Sequence, residues 1–149
     1  VIKKAEQTNG DVGIVLCDCA GTLREQINFD SLIEHLSGLS EVATVKLCSK
    51  FCQQKDCLKT IKSLKHIERL VIGACDREIF DNTLHEAIQG VNLNDGLLWS
   101  VNIREHCSWV APTPKAATDK AKEALRAAVR RVKMASAVKS KKTSVNQNV

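Results

Sequence analysis

The sequence predicts an α/β fold: a four-stranded parallel sheet followed by a C-terminal helix and a disordered tail. Three observations carry this. Short apolar runs rich in β-branched residues alternate with amphipathic stretches four times along 149 residues, the pattern of strands joined by crossover helices. That length provides for one ordinary core and is too short for two large domains. A long stripe of small apolar residues near the C-terminus marks a helix built for close packing.

Residues 1–11 (VIKKAEQTNGD) are polar and read as a flexible lead-in, without the apolar stretch of a signal peptide. Val12–Cys19 (VGIVLCDC) fits a buried strand, and Ala20-Gly21-Thr22 turns the chain. Asp30–Leu39 is expected to be helical, with Leu32, Ile33, Leu36 and Leu39 at helical spacing, Asn28 or Asp30 as its cap and Gly38 near its end. Glu41–Cys48 (EVATVKLC) reads as the second strand. Gln53–Leu64 suits a second helix, with Leu58, Ile61 and Leu64 to one side. His66–Cys75 contains the strongest strand core, Leu70-Val71-Ile72, and Ile79–Ile88 follows as a third helix that ends before Gly90. Leu97–Ile103 (LLWSVNI) is the fourth strand. Pro114 suits a first helical position after Thr113. Lys115–Met134 then forms the clearest helix, with Ala117, Ala121, Leu125, Ala128, Val129 and Val132 on one stripe. Residues 135–149 have little to bury and read as linker, so the folded domain is expected at residues 12–134. Right-handed crossovers then favour flavodoxin- or Rossmann-like winding in the order 2-1-3-4. The switch point falls between the first and third strands, where such folds bind ligands.

Composition narrows function. No apolar run approaches the roughly 20 residues needed to span a bilayer. The net charge of +5 is uneven: residues 115–149 carry ten Lys/Arg against Asp119 and Glu123, a net of +8, and the remainder carries −3. With few aromatics and no nucleic-acid-binding signature, the basic segment reads as a solvated helix face and linker, and no nucleic acid is expected as partner. Neither G-x-G-x-x-G nor a Walker A sequence occurs, so no dinucleotide or phosphate loop is present. Seven cysteines without a secretion signal point to a reducing, cytoplasmic setting, where such cysteines bind metal or act in redox chemistry. There is no C-x-x-C pair, which weakens a reading as a thiol–disulfide enzyme.

The placement of the cysteines is more telling than their number. The first strand ends in Cys17 and Cys19, the second in Cys48 and the third in Cys75, while Cys107 follows the fourth by four residues. In a parallel sheet these ends share one edge, so thiols remote in sequence converge. Thiolate clusters suit iron–sulfur groups and zinc; buried free thiols are the plain alternative. Four strand ends span roughly 14 Å, so the outer cysteines need loops that curl inward, and the segment to Cys107 reaches up to about 13 Å. Cys52 and Cys57, an i, i+5 pair around the second helix, are poorer candidates. His106 adjoins Cys107, Trp109 is expected to shield the site or pack in the core, and Arg104 with Glu105 is expected to form a local ion pair.

The string Asn102–Val110, NIREHCSWV, resembles the N-terminal domain of the A-type subunits of heterodisulfide reductase, whose corresponding segment reads NIREQCSWVH. VLCDCAG at Val15–Gly21 is similar to that family's C-H-C-G segment, and LCS at Leu47–Ser49 and GAC at Gly73–Cys75 fall where the family places its next cysteines. The resemblance covers roughly Val12–Lys133. It implies an iron–sulfur electron-transfer module holding a [4Fe-4S] cluster. Cys19, Cys48, Cys75 and Cys107 are the implied ligands, with Cys17 as an alternate or neighbouring sulfur. It implies FAD only in a downstream domain absent from this sequence, and partnership with that flavin domain and other redox subunits. It also implies that the chain is a front module, a fragment or split product without turnover of its own. Asp76-Arg77-Glu78 in place of S-P-R, Ala111 in place of a histidine, and Ala20 in place of a glycine depart from the pattern. A structural or interaction domain with zinc-bound or free thiols is the alternative.

Overall fold

The structure, a computed structural model, describes residues 10–139 and residue 143; residues 1–9 of the lead-in expected at 1–11 and the remainder of the tail lie outside the described residues, while Asp11, at the end of that lead-in, is fixed by ion pairs to Arg69 and Lys133. The elements in chain order are β1 (Val12–Cys17), α1 (Phe29–Ser37), β2 (Val42–Cys48), α2 (Gln54–Ser63), β3 (Arg69–Ala74), α3 (Asp81–Gln89), β4 (Leu98–Asn102) and α4 (Pro114–Met134). The sheet is parallel throughout, in the order β2-β1-β3-β4. The expected architecture and strand order are therefore present. The elements are shorter than expected by one to three residues at several ends, β1 stopping at Cys17 and β3 at Ala74. None of the helices among the described residues is long and apolar enough to cross a membrane.

Both faces of the sheet are covered. Val12, Ile14 and Leu16 of β1 join α1 and α4 in one core layer. Val15 and Cys17 join α2 and α3 in the other. Every residue of β1 is buried. Asn28 caps α1 by accepting from the Ser31 amide at 3.0 Å, and Thr113 caps α4 by accepting from the Ala116 amide at 3.2 Å, with Pro114 directly after it. The expected stripe of α4 is buried in full, and Thr118 joins it. Its hydroxyl donates to the Pro114 carbonyl and accepts from the Asn28 amide at 3.0 Å, tying the starts of α1 and α4 together.

Gly73 lets α4 approach the sheet. A Cβ there would lie 2.9 Å from Leu16 Cδ2 and 3.0 Å from Leu125 Cδ2, so the missing side chain is the space that Leu125 occupies. At the opposite edge from the cysteines, Asp11 pairs with Arg69 and accepts from Lys133 Nζ at 2.8 Å, while Arg69 Nε donates to the Val132 carbonyl at 2.9 Å. The chain leaving α4 is clamped there as well: the Asn94 side chain donates to the Val138 carbonyl and accepts from its amide, both at 2.9 Å.

Leu125 is fully buried, so Leu125→Ala is expected to lower stability by about 2–5 kcal/mol through lost transfer energy and the cavity left behind, measured by chemical denaturation. Burial raises the Asp11 carboxyl, but the hydrogen bond from Lys133 and the charges of Lys133 and Arg69 outweigh it and hold its pKa below the ordinary value. A carboxylate depressed in the folded state contributes stability above its unfolded pKa of about 3.9 and loses it as pH falls through the folded pKa. Asp11→Asn is therefore expected to flatten the acid limb of a stability-against-pH curve below about pH 4. An acid limb as steep as the parent's would show that another carboxylate dominates it.

Candidate metal centre

The site is built where β1, β2 and β3 end. Cys17 pairs in register with Cys48, and Leu16 with Gly73, so Cys75 stands one residue beyond the neighbour of Cys17. Adjacent strands lie about 4.8 Å apart, which places Cys17, Cys48 and Cys75 along one rim. The sequence extends the first strand to Cys19, but the chain leaves the sheet after Cys17. Cys19, Ala20 and Gly21 have φ of 51°, 59° and 87°. Three successive left-handed residues, two of them not glycine, are strained, a feature that clusters at functional sites.

Asp18 holds this turn. Its carboxylate is only 3% exposed. It accepts from the Gly21 amide at 3.1 Å, the Ser49 hydroxyl at 3.1 Å and Arg24 Nε at 2.7 Å. The Ala20 amide donates to the Ser49 carbonyl at 2.6 Å. The loops after β1 and β2 are thus tied together directly beneath the cysteines. Neither Asp18 nor Ser49 stands out in the sequence. The available signal is a carboxylate inside an apolar run, between two cysteines and six residues before an arginine.

Cys17, Cys19, Cys48 and Cys75 act on one another through charge, with Cys52 acting on Cys75 and Cys48 on Cys57. Cys17 donates weakly to the Ser49 carbonyl at 3.7 Å and accepts from the Phe51 amide at 3.4 Å. Burial, followed by the charges of Cys19 and Cys48 and partly offset by backbone hydrogen bonds, pushes its pKa up to about 11. Burial and the charge of Cys75 raise Cys19, against the charge of Arg104 and hydrogen bonds from Cys17 and Arg104, which lower it. Burial raises Cys75, with smaller upward effects from Cys17 and the exposed Cys52 and a lowering effect from Arg104. Cys57 lies deeper, between α2 and α3, where it donates weakly to the Thr83 carbonyl and burial lifts it to about 12. Cys107 is separate. It is buried in the layer of α1 and α4, where burial raises it and only Lys120 acts in the lowering direction.

Such thiols are neutral at pH 7 and must release protons to ligate. Among the described residues no three Cys, His, Asp or Glu side chains stand close enough together to hold a metal ion as they are. Arg104 nevertheless marks the rim. Its Nε is buried and has no hydrogen-bond partner, and its charge bears on Cys19 and Cys75. Soft sulfur donors beside a cationic side chain with one unpaired buried N–H fit a negatively charged, thiolate-ligated group such as an iron–sulfur cluster. The expected Arg104–Glu105 ion pair is present at 3.0 Å. Trp109 neither packs in the core nor covers the thiols: it is 67% exposed, with the Arg104 guanidinium 5.1 Å from its ring centroid. His106 is exposed.

Asp18→Ala is expected to leave the Ser49 hydroxyl and Gly21 amide without their shared acceptor and to cost about 1–3 kcal/mol. Hydrogen exchange at Gly21 should accelerate while β3 stays protected. Unchanged exchange there would mean that the backbone bond from Ala20 to Ser49 suffices to hold the loop.

No protein-family profile matches the chain. Curated relatives do. An A-type iron-sulfur subunit of the CoB–CoM heterodisulfide reductase of Methanopyrus kandleri is 31% identical over 142 residues, 93% of this chain and 21% of the relative. The A-type subunit of the H(2):CoB-CoM heterodisulfide,ferredoxin reductase of Methanothermobacter marburgensis is 28% identical over 97% of this chain and 22% of its own length. The A-type subunit of the Ferredoxin:CoB-CoM heterodisulfide reductase of Methanosarcina mazei is 30% identical over 93% of this chain and 18% of its own length. The resemblance read from the cysteine segments thus extends over nearly the whole chain, which is a relative of the A-type subunits of heterodisulfide reductase and spans about a fifth of their length.

Proposed function

We propose that this chain is an iron–sulfur electron-transfer module of a heterodisulfide-reductase-like complex, with residues 12–134 as the cluster-bearing domain. The observation that carries the reading is that Cys17, Cys48 and Cys75 fall at the ends of three neighbouring parallel strands, with Cys19 in the turn after the first, beside a buried arginine nitrogen without a hydrogen-bond partner. The name of the Methanopyrus kandleri relative, which includes the word "iron-sulfur", supports it.

The ligands of a 4Fe-4S cluster are drawn from Cys17, Cys19, Cys48, Cys75 and Cys107. Cys107 lies in the layer under α4, so recruiting it requires the Arg104–Ser108 turn to rearrange, whereas ligation by Cys17, Cys19, Cys48 and Cys75 calls for no change in that turn. When bound, the cluster supplies reversible electron storage. The protein's part is to present thiolates, to donate backbone N–H groups such as that of Phe51, which already points at a sulfur, and to keep water from the buried sulfurs. The partners are a flavin domain carrying FAD and other redox subunits, in a cytoplasmic setting. The module passes electrons and turns nothing over alone.

Anaerobic reconstitution of the chain with iron and sulfide tests this. The product is expected to be brown, with broad visible absorbance and about four iron atoms per chain. Cys19→Ser and Cys75→Ser should lose the colour, whereas Cys57→Ser should keep it, because that thiol lies away from the rim between α2 and α3. A colourless chain free of iron, or one holding stoichiometric zinc, would replace this reading with a structural module of zinc-bound or free thiols.

A further inference from the structure

We propose that Arg104 is a positioning residue that donates a hydrogen bond and a positive charge to the thiolate-bound metal group at this rim and so raises its reduction potential. The inference rests on the cluster reading and adds to it the residue that sets the energy of the transferred electron.

The register brings Arg104 to the site. Ala74 pairs with Asn102, so β3 and β4 end together. Cys75 leaves one strand as Ile103 and Arg104 leave the other. The guanidinium is then braced from its own turn. Its Nη2 donates to Glu105 Oε1 at 3.0 Å. Glu105 Oε2 accepts from Asn102 Nδ2 at 3.0 Å, and the Glu105 amide donates to Asn102 Oδ1 at 3.0 Å. The Trp109 ring lies against it, 5.1 Å from centroid to Cζ. These contacts fix its orientation and leave Nε, buried, without an acceptor. The sulfurs of Cys19 and Cys75 are the groups that feel its charge.

An unpaired buried donor is costly, and native structures keep few of them without a reason. If Arg104 served only as half of an ion pair, the bond to Glu105 would satisfy that role, and its buried Nε and its hydrogen bond toward the Cys19 thiol would be unexplained. An anionic thiolate-bound group supplies the missing acceptor. Reduction adds one negative charge to such a group. A fixed cation with an N–H donor stabilises the reduced form more than the oxidised form, so the potential rises.

The test is a mediated redox titration of the reconstituted chain, followed by visible absorbance and by electron paramagnetic resonance of the reduced state. Arg104→Gln is expected to retain iron and to lower the reduction equilibrium constant about tenfold, about 59 mV for one electron. Arg104→Lys, which keeps the charge and loses the Nε donor, should fall by less. A potential in Arg104→Gln equal to the parent's at equal iron content would overturn the proposal. If Arg104→Gln does not hold iron, Arg104→Lys carries the test, and an unchanged potential and resonance spectrum there overturn it. Failure of the parent chain itself to load iron is a separate result. It removes the cluster reading, and this inference falls with it.

Discussion

Strand β1 is hydrogen-bonded to a neighbour on both edges and covered by helices on both faces, so no part of it meets water. This is the constraint on which the other features depend. A strand in that position has to be apolar throughout, which VGIVLC is. Its connections must then depart in opposite senses. With right-handed crossovers, the unit through α1 carries the chain to one side of β1 and the later units carry it to the other. The loops that follow β1 and β3 diverge, and a crevice opens between them at the carboxyl ends of the strands. Cys17, Cys19 and Cys75 stand at that crevice, with Cys48 beside them on β2.

Leaving such a strand raises a chemical problem that Asp18 addresses. The backbone turns out of the sheet through three left-handed residues, a path that most side chains resist. A buried carboxylate bonded to an amide, a hydroxyl and a guanidinium offsets the strain and at the same time joins the β2 loop to the β1 loop. The loops that carry Cys19 and Ser49 are thus held by polar bonds other than those of the Cys17 sulfur.

Much of this arrangement was legible in the residues. The apolar strand cores, the small-residue stripe of α4 and its Thr113-Pro114 start are local patterns, and local patterns survive in a sequence. The strand order followed from chirality rules once the alternation was recognised. What was not legible depended on partners remote in the chain. The residues alone carry β1 on to Cys19, because the bond that holds the turn, from the Ser49 hydroxyl to Asp18, spans 31 residues. The ring of Trp109 alone points to the core or to the thiols. An extended chain gives Cys107 a reach of about 13 Å. Residues Arg104–Ser108 instead coil into a π-helical turn. A helix advances about 1.5 Å per residue, so the thiol stays close to the end of β4 and turns into the layer of α1 and α4.

The clamp of Asn94 on Val138 has a directional consequence. Helix α4 begins near the cysteine rim and runs about 30 Å back along the sheet to the ends of the strands marked by Asp11 and Arg69. There the backbone of Val138 is held on both its donor and its acceptor. Any polypeptide joined beyond that point sets out from the pole farthest from the sulfurs. A tethered neighbour would have to reach around the body of the protein to exchange electrons with them, whereas a separate subunit could approach the rim head-on.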